Sequence, residues 1–527
     1  GPISSQTEQD TRTFAAFSKV PCFDPTSAQE AYEMVQEAFE YSEKYKTPVF
    51  LRPTTRVCHG YATIEVKDAA EYKKNESEGF VKDSKRWVIF PKLSFQAHRN
   101  IEKRNVELGD AFSEYDRNVV SRKTETRFGI ATGGINYTYT MEALGDDAEK
   151  IAIFKVATPF PFPERKAVEY LEQLDAVLCV EELDPVIERA LTYIAGKYHL
   201  PVKIYGKLTG HVAASGENTI DSVKDSITQF LLDQGIAADR YKALTAGEKN
   251  NQSEELAEMP ELPVRPPVLC AGCPHRASFY DVKCAMKGKK TIFCGDIGLK
   301  KKKCMVYGDI GCYTLGNAMP LDMVDTCLCM GAGLGIAQGV YHTEPDTTCF
   351  AFVGDSTFFA SAIPGVVNAV YNQADMTLIV LDNSTTAMTG HQPHPGTGHT
   401  MMGDIVNKID IVGILKGIGL KTVETINPFE HEAAVQTVAR VAAEPGVKAI
   451  IFKSPCIAIT KSSRCMHIDT DACIGCQKCI REIGCPALYT FEGKVCIDES
   501  LCTGCTLCSQ LCPVHAIGDG QEERGQA

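Results

Sequence analysis

Eight of the 23 cysteines form two runs near the end of the chain, with a spacing that suits iron–sulfur clusters. Each run has three cysteines two residues apart and then a fourth followed by proline: Cys473, Cys476, Cys479 and Cys485, then Cys502, Cys505, Cys508 and Cys512. Three thiolates at this spacing can bind one face of a cubane, and the fourth ligand then comes from the other run. The spacing therefore predicts two [4Fe–4S] clusters, one held by Cys473, Cys476, Cys479 and Cys512 and the other by Cys502, Cys505, Cys508 and Cys485.

A zinc ribbon is the main alternative for closely spaced cysteines. Structural zinc sites use two pairs at a longer separation, whereas this tail has two triplets, each followed later by Cys-Pro. The gap between Cys479 and Cys485 is wider than usual, so we expect the backbone near Cys485 to differ from the standard loop. The tail has little room for an apolar core, so we expect bound metal to supply much of its folding free energy.

A second set of candidate residues follows two apolar runs that we predict to be buried strands. Residues 348–353 lead into Gly354, Asp355 and Ser356, and residues 376–381 lead into Asp382 and Asn383. This resembles the diphosphate-binding motif of thiamine diphosphate enzymes, which begins Gly-Asp-Gly and ends Asn-Asn. Carboxylate and amide oxygens suit Mg²⁺, which also takes phosphate oxygens and waters. We expect its protein ligands to be Asp355, the Asn383 side chain and the backbone carbonyl of Thr385.

Two neighbouring segments support the thiamine diphosphate interpretation. Residues 330–335 are a glycine-rich helix entry, in which Gly331 and Gly333 favour close approach of a cofactor, as Gly354 does. Residues 389–392 follow the predicted Mg²⁺ site, where thiamine diphosphate enzymes place an active-site lid. Ser356 and Ser384 depart from the usual motif. A plain turn that carries an aspartate remains the alternative for Asp355 taken alone.

Alternating strands and helices are needed to position these residues, and the sequence predicts them. Cap-type residues at 24–27 open a helix, and a strand at 48–51 ends before Arg52. Further strands are predicted near 151 and at 176–180, 202–205, 291–293 and 449–452, with helices at 336–341, 358–371 and 429–441. Residues from about 65 to 145 show no regular pattern. The alternation predicts an α/β fold with parallel sheets.

Charge and composition exclude several classes of protein. The formal net charge of -13 argues against nucleic-acid binding, which requires an excess of Lys and Arg. No apolar run approaches the roughly 18 residues of a membrane span. The first residues lack the basic start and apolar core of a signal peptide. Metal ligation is therefore favoured over disulfides, and we expect a cytoplasmic protein.

Several longer motifs identify a family. They are Cys270-Ala-Gly-Cys-Pro-His-Arg276, Gly308-Asp-Ile-Gly-Cys-Tyr-Thr-Leu-Gly316, Gly354-Asp-Ser and Leu381-Asp-Asn-Ser-Thr-Thr-Ala-Met-Thr-Gly-His-Gln392. With the cysteine tail, they resemble the large α subunits of the indolepyruvate:ferredoxin oxidoreductase family over nearly the whole chain. Those subunits begin well before residue 1. The resemblance therefore implies that the activating glutamate of the pyrimidine-binding domain is truncated away here or supplied by another chain.

The resemblance implies doubly wound thiamine-diphosphate-binding domains followed by a ferredoxin-like domain. The predicted boundaries are 1–145 for the later part of a pyrimidine-binding-type domain, 146–250 for a small α/β domain like the C-terminal domain of transketolase, 251–267 for a linker, 268–465 for the diphosphate-binding domain, 466–518 for the two-cluster domain and 519–527 for a tail.

The resemblance also implies a third, core [4Fe–4S] cluster, which many 2-oxoacid:ferredoxin oxidoreductases carry near the cofactor. The matching residues are Cys270, Cys273, Cys312 and Cys456. The alternative is that Cys270 and Cys273 shape a turn and that the others are buried thiols, a common state of cysteine.

The implied reaction is the oxidative decarboxylation of an aryl 2-oxoacid such as indolepyruvate, with CoA, to an aryl-acetyl-CoA and CO₂. Thiamine diphosphate would be the electron sink, and single electrons would pass through the clusters to ferredoxin. A smaller β subunit would complete a hetero-oligomer. The alternatives are a related oxidoreductase for another 2-oxoacid and a non-catalytic electron-relay subunit.

Four residues are candidates for contacts with the substrate. Arg56 can clamp a carboxylate with paired N–H donors, or form a structural ion pair. His275 and His391 can transfer protons, or act only as hydrogen-bond partners. Met388 stands where pyruvate-using relatives carry a polar residue, and we expect it to line an apolar aryl pocket.

Overall fold

A computed structural model describes residues 8–72, 79–122, 125–235, 266–287, 303–460 and 464–519. The chain divides into two compact units, Gly1–Glu261 and Leu262–Ala527. The predicted strand at 291–293, most of the predicted linker at 251–267 and nearly all of the predicted tail at 519–527 lie outside the described residues.

The first unit combines a pair of short parallel strands with a larger sheet. Its helices are α1 (Thr11–Ser18), α2 (Ala28–Tyr45), α3 (Thr55–His59), α4 (Ser84–Trp87), α5 (Pro91–Ser113), α6 (Ile135–Leu144), α7 (Glu164–Leu171), α8 (Val186–Lys197) and α9 (Ile220–Asp233), and its strands are β1 (Cys22–Phe23), β2 (Phe50–Leu51), β3 (Val119–Ser121), β4 (Phe128–Thr132), β5 (Ala152–Lys155), β6 (Ala176–Val180) and β7 (Lys203–Tyr205). The predicted cap at the start of α2 is Ser27, whose Oγ accepts the Glu30 N–H at 3.1 Å.

The larger sheet of the first unit has the strand order β3-β5-β4-β6-β7 and is parallel except for β3. Its two faces carry separate apolar cores, with Phe154 and Tyr170 in one and Leu178 and Phe230 in the other. Helices on both faces make this a doubly wound sheet. Because β4 precedes residue 145, the sheet continues across the predicted boundary between 145 and 146.

A buried charge network joins α1 to the carboxyl end of β6. The Arg12 guanidinium donates to Asp10 at 2.6 Å, to Glu181 at 2.9 Å and to the Glu182 carbonyl at 2.8 Å. Burial raises the pKa of Glu181, and the charge of Arg12 acts in the opposite direction. Since a buried carboxylate without a partner is costly, Arg12 anchors the first helix to the sheet.

The second unit contains a parallel sheet followed by the cysteine tail. Its helices are α10 (Pro274–Lys287), α11 (Ala332–Thr343), α12 (Asp355–Thr357), α13 (Ile363–Tyr371), α14 (Ile411–Ile418), α15 (His431–Ala442), α16 (Lys478–Ile483) and α17 (Leu507–Leu511), and its strands are β8 (Cys304–Tyr307), β9 (Thr348–Gly354), β10 (Met376–Asp382), β11 (Val423–Ile426), β12 (Val447–Lys453), β13 (Met466–Ile468), β14 (Leu488–Phe491), β15 (Lys494–Ile497) and β16 (Ile517–Asp519). A π-helical turn, Phe358–Ala362, precedes α13.

The parallel sheet of the second unit has the order β11-β12-β10-β9-β8. Leu381 lies opposite Gly354, so the carboxyl ends of β9 and β10 are neighbours. Phe352 belongs to the core on one face and Val353 to the core on the other. A strand that is covered on both faces has a continuous apolar sequence, which explains why these strands were predictable.

The cysteine tail folds against the parallel sheet. It has two antiparallel strand pairs, β13 with β16 and β14 with β15. The tail residues Leu488, Leu507 and Leu511 share one apolar core with Phe279 and Phe352 of the sheet layer. The tail therefore has little apolar core of its own and shares that of the larger domain, and the contribution of bound metal to its folding free energy stays a prediction. Among the described helices, none has the length and apolar character to cross a bilayer.

Candidate active site and cysteine groups

Asp355 stands at the carboxyl end of β9 and links it to the end of β10. Its Oδ1 accepts the Ser356 N–H at 2.9 Å, and its Oδ2 accepts the Ser384 N–H at 2.8 Å. The carboxylate is 3 % exposed, and burial raises its pKa. The two N–H donors orient both oxygens, so the carboxylate is held in place before any ligand arrives.

Asn383 lies beside this carboxylate in the loop after β10. Its Oδ1 accepts the Thr385 N–H at a long 3.4 Å, and Asn383 and Thr385 are both buried. Buried oxygens from a carboxylate, an amide and a backbone carbonyl have the chemistry of a Mg²⁺ site, provided that phosphate oxygens and waters complete it. In the described ranges, no three His, Cys, Asp or Glu side chains converge as the ligands of one single metal ion do. A Mg²⁺ ion at Asp355 would therefore depend on amide, carbonyl, phosphate and water oxygens.

His394 is a neighbour of Asp355 that the motif did not indicate. Its Nε2 lies 3.1 Å from Asp355 Oδ2. It is 8 % exposed and makes no hydrogen bond of good geometry through Nε2. Because Nε2 lies beside the Asp355 carboxylate but is poorly aligned with it, this atom is close enough to meet a ligand oxygen bound at Asp355.

Three glycines were predicted to allow close approach of the cofactor. At each of them, neighbouring groups occupy the space that a side chain would need. A Cβ on Gly354 would lie 2.5 Å from the Tyr313 hydroxyl, and one on Gly333 would lie 2.7 Å from the Gly308 carbonyl. Gly331 has φ +85° and packs against Ser361. Gly333 therefore permits close packing between α11 and the end of β8, a role that the prediction of cofactor approach did not include.

Asp309 is a second buried carboxylate at this edge of the sheet. Its Oδ1 accepts the Gly331 N–H at 2.8 Å, and its Oδ2 accepts the Tyr313 hydroxyl at 3.0 Å. Burial raises its pKa. Its motif was among those that indicated the family, but no role was predicted for it. The signal in the sequence was the Gly308-Asp309 pair, which repeats as Gly354-Asp355.

His275 is the only one of the four substrate candidates that the described contacts place beside Asn383. Its Nε2 lies 3.3 Å from Asn383 Nδ2, and its ring edge meets Tyr313 at 5.4 Å between centroids. Burial lowers the pKa of His275 to about 4, so the ring is neutral near pH 7 and accepts a hydrogen bond from the amide.

The other three candidates lie in more open positions. His391 and Met388 are on an exposed loop, where Met388 is 50 % exposed. Arg56, in the first unit, donates from Nη2 to Glu217 at 2.9 Å and also pairs with it through Nε. The structural ion pair that was the alternative for Arg56 is therefore present.

The tail cysteines form two groups, each around its own cavity. Cys473, Cys476, Cys479 and Cys512 line the first, and Cys485, Cys502, Cys505 and Cys508 line the second. This places the fourth cysteine of each run with the triplet of the other run. Backbone N–H groups donate to two of the sulfurs, from Ala516 to Cys512 at 3.2 Å and from Met466 to Cys502 at 3.4 Å.

The thiols within each tail group are electrostatic neighbours. Burial, with smaller contributions from the nearby Cys485 and Cys502, raises the pKa of Cys505 to about 11. Burial also raises the pKa of Cys479, where Cys476 and Cys512 act in the same direction. Burial and crowding therefore disfavour free thiolates in these groups. A bound metal centre would deprotonate the coordinating thiols and its positive charge would offset their mutual repulsion.

The four candidate core cysteines lie at three loops near Asn383. Burial raises the pKa of Cys312, with further contributions from Cys456 and Cys270. Burial, with a smaller contribution from Cys270, raises the pKa of Cys273 to about 12. The Cys456 N–H donates to the Asn383 carbonyl at 3.0 Å. The loop that carries the Asn383 amide therefore contacts the loop of a candidate core cysteine, Cys456, directly.

Two family descriptions match separate parts of the second unit. The C-terminal TPP binding domain of thiamine pyrophosphate enzymes matches residues 309–452. A 4Fe-4S binding domain matches residues 495–518. The first match begins at Asp309 and includes Asp355 and Asn383, while the second includes the cysteine triplet after β15.

Curated relatives resemble the chain almost from end to end. Indolepyruvate oxidoreductase subunit IorA of Methanothermobacter thermautotrophicus is 36% identical, over 98% of this chain and 79% of that protein. The subunit of the same name from Archaeoglobus fulgidus is 34% identical over the same shares. A 2-oxoglutarate:ferredoxin oxidoreductase from Magnetococcus marinus aligns in structure with a TM-score of 0.30 at 19% identity, over 38% of this chain and 67% of that one.

Proposed function

The chain belongs to the family of indolepyruvate oxidoreductase IorA subunits, and we propose that it decarboxylates aryl 2-oxoacids such as indolepyruvate oxidatively. In this proposal CoA accepts the acyl group, which leaves as an aryl-acetyl-CoA, and ferredoxin accepts the electrons. The family, the TPP-binding domain and the iron–sulfur domain make the chain an oxidoreductase of the 2-oxoacid:ferredoxin type. The aryl substrate and the role of CoA are the finer parts of the proposal.

One observation carries the proposal: the loop of Asn383 contacts both Asp355 and Cys456. Ser384 N–H binds the Asp355 carboxylate, and the Asn383 carbonyl accepts the Cys456 N–H. A site with the chemistry for Mg²⁺ and a diphosphate is thus next to thiols that can hold a redox centre. Such proximity is needed by an enzyme that passes electrons from an organic cofactor to a metal cluster.

The residues of this site have separate roles. Asp355, the Asn383 amide and the Thr385 carbonyl would hold Mg²⁺, and His394 Nε2 would face a ligand oxygen. Neutral His275 accepts a hydrogen bond from the Asn383 N–H₂ group, which would leave Asn383 Oδ1, rather than the N–H₂ group, for a bound metal. When bound, thiamine diphosphate supplies the electron sink for decarboxylation.

The cysteine groups provide one-electron carriers. We propose three [4Fe–4S] clusters, at the two tail groups and at Cys270, Cys273, Cys312 and Cys456. A smaller β subunit and ferredoxin are the proposed partners, since the relatives are named as subunits. A chain that only relayed electrons would retain the tail groups but would not need buried oxygens at Asp355 and Asn383.

A panel of 2-oxoacids tests the proposed function. The chain, purified without oxygen with its native partner subunit, is given indolepyruvate, phenylpyruvate, pyruvate or 2-oxoglutarate with CoA and ferredoxin. We expect the highest kcat/KM with an aryl 2-oxoacid, and release of CO₂ and an aryl-acetyl-CoA. Preference for 2-oxoglutarate or pyruvate would overturn the aryl assignment, and bound clusters without any turnover would favour the electron-relay alternative.

Met388 is the residue expected to influence this preference. Replacing Met388 by asparagine removes an apolar contact with an aryl ring, and small changes in apolar contact change discrimination by about 10–200-fold. We expect kcat/KM for indolepyruvate to fall roughly tenfold relative to pyruvate. Met402→Asn is the matched control, because Met402 is 90 % exposed. An unchanged ratio in Met388→Asn would show that Met388 does not line the pocket.

A further inference from the structure

Arg276 is a buried cation that connects two of the cysteine groups. Its side chain is 4 % exposed. Nη1 donates to the carbonyls of Ile483 at 2.6 Å and Gly484 at 2.8 Å, and Nη2 donates to the carbonyl of Leu269. Gly484 directly precedes Cys485, and Leu269 directly precedes Cys270. One guanidinium therefore fixes the backbone in front of a cysteine in each group.

The wide gap between Cys479 and Cys485 explains how Arg276 reaches the tail. α16 ends at Ile483, and Gly484 follows in the left-handed conformation with φ +56°. The carbonyls of these two residues are the ones that Arg276 binds. The additional residues of the gap thus provide acceptors for a cation from the other side of the interface between the tail and the sheet domain.

The charge of Arg276 is not neutralised by a carboxylate in the described residues. Its hydrogen bonds there all go to backbone carbonyls, and its buried Nε has no partner. It lines the same cavity as Cys485, Cys502, Cys505 and Cys508, together with Cys273. Arginine stays protonated even when buried, so the groups that can balance this cation are thiolates and the clusters that they bind.

We propose that Arg276 is a positioning residue shared by two clusters, which holds their loops together and raises the reduction potential of both. The proposal rests on the proposed function, because it requires clusters at the Cys270 and Cys485 groups. A [4Fe–4S] cluster gains one electron and one negative charge on reduction, with no proton required. A buried cation stabilises the more negative state of each cluster, since its field is weakly screened there.

Two substitutions separate the charge of Arg276 from its hydrogen bonds. Arg276→Met removes both, while Arg276→Lys retains the charge but cannot bind all three carbonyls. In redox titrations with dithionite followed by EPR, we expect Arg276→Met to lower the one-electron reduction equilibrium constant at least tenfold at both clusters, which is about 59 mV. Arg276→Lys should stay within threefold of the wild type. If the Arg276→Met variant loses its iron, Arg276→Gln takes its place as the variant without the charge and is compared with Arg276→Lys in the same way.

Arg481 provides the matched control, because it is exposed and donates to the Cys476 carbonyl. Arg481→Met should lower the equilibrium constant at the Cys473 group by less than threefold, since water screens its charge. Equal potentials in wild type and Arg276→Met, or equal effects of Arg276→Met and Arg481→Met, would overturn the proposal. These titrations use no 2-oxoacid, so an enzyme with an unexpected substrate, or with none, still gives the result.

Discussion

Replacing Asp355 by asparagine will weaken Mg²⁺-dependent binding of thiamine diphosphate roughly 100-fold or more, since loss of a residue that merely supports a metal ligand already costs about 10–100-fold. The substitution removes the negative charge that we propose binds Mg²⁺. It also turns an amide N–H₂ group toward one of two backbone donors, because Ser356 and Ser384 each donate to a different oxygen of Asp355. Calorimetric titration of the apoprotein with thiamine diphosphate at several Mg²⁺ concentrations measures the effect.

Asp410 gives this experiment a control with the same local chemistry. Its two carboxylate oxygens also accept backbone N–H groups, from Val412 at 3.1 Å and Gly413 at 2.9 Å, at the start of α14. Asparagine caps helices about as well as aspartate, so Asp410→Asn should leave binding unchanged. The iron content of both variants checks that the second unit has folded. Wild-type affinity in Asp355→Asn would show that Asp355 does not bind the metal.

The elements that sequence reasoning found are those with strong local patterns. β9, β10 and β12 are buried on both faces, so each is a continuous apolar run in the sequence. Polar residues at both ends of each run mark where the strand begins and ends. β8 and β11 are the edge strands of the same sheet, shorter and partly exposed, and they were not predicted. α5 was missed because few of its residues are buried and its apolar residues include exposed Phe95 and Val106. Tertiary position, rather than local propensity, determined these elements.

The residues of the candidate site likewise divide into those that a local sequence pattern indicated and those that only the folded structure brings together. The cysteine spacing indicated which residues to group, and the strand ends indicated Asp355 and Asn383. Arg276 ends one of the motifs that indicated the family, but the motif does not indicate its role, and His394 belongs to no motif that predicted the site. Arg276 acts through carbonyls 207 and 208 residues away, which carry no side-chain signal. His394 meets Asp355 only because a loop of the chain returns to the end of β9. Contacts of this kind depend on register and packing across the whole unit.

Placing a methyl group on Gly272 will separate the core cysteine turn from the tail and slow the reduction of ferredoxin at least tenfold. A Cβ at this position would lie 1.8 Å from Thr503 Oγ1 and 3.0 Å from Thr503 Cβ, and Gly272 has φ +68°. Gly272 lies in the turn of Cys270 and Cys273, and Thr503 lies between Cys502 and Cys505. Left-handed strain of about 1–2 kcal/mol and overpacking of about 1–3 kcal/mol oppose the native contact. Together these would depopulate the close arrangement by roughly 30-fold or more.

Rapid-freeze EPR after mixing with substrate should show tail clusters that are reduced slowly in Gly272→Ala, although dithionite still reduces them and decarboxylation with an artificial acceptor persists. Gly493→Ala is the matched control: it has φ +78° in the β14–β15 turn and no atom within 4 Å of the added Cβ. The same backbone strain without the clash should leave electron transfer at the wild-type rate. Thr503→Gly in the Gly272→Ala background removes the clashing side chain and should restore part of the rate. Fast reduction in Gly272→Ala would mean that electrons reach the tail by a route that does not pass between these two loops.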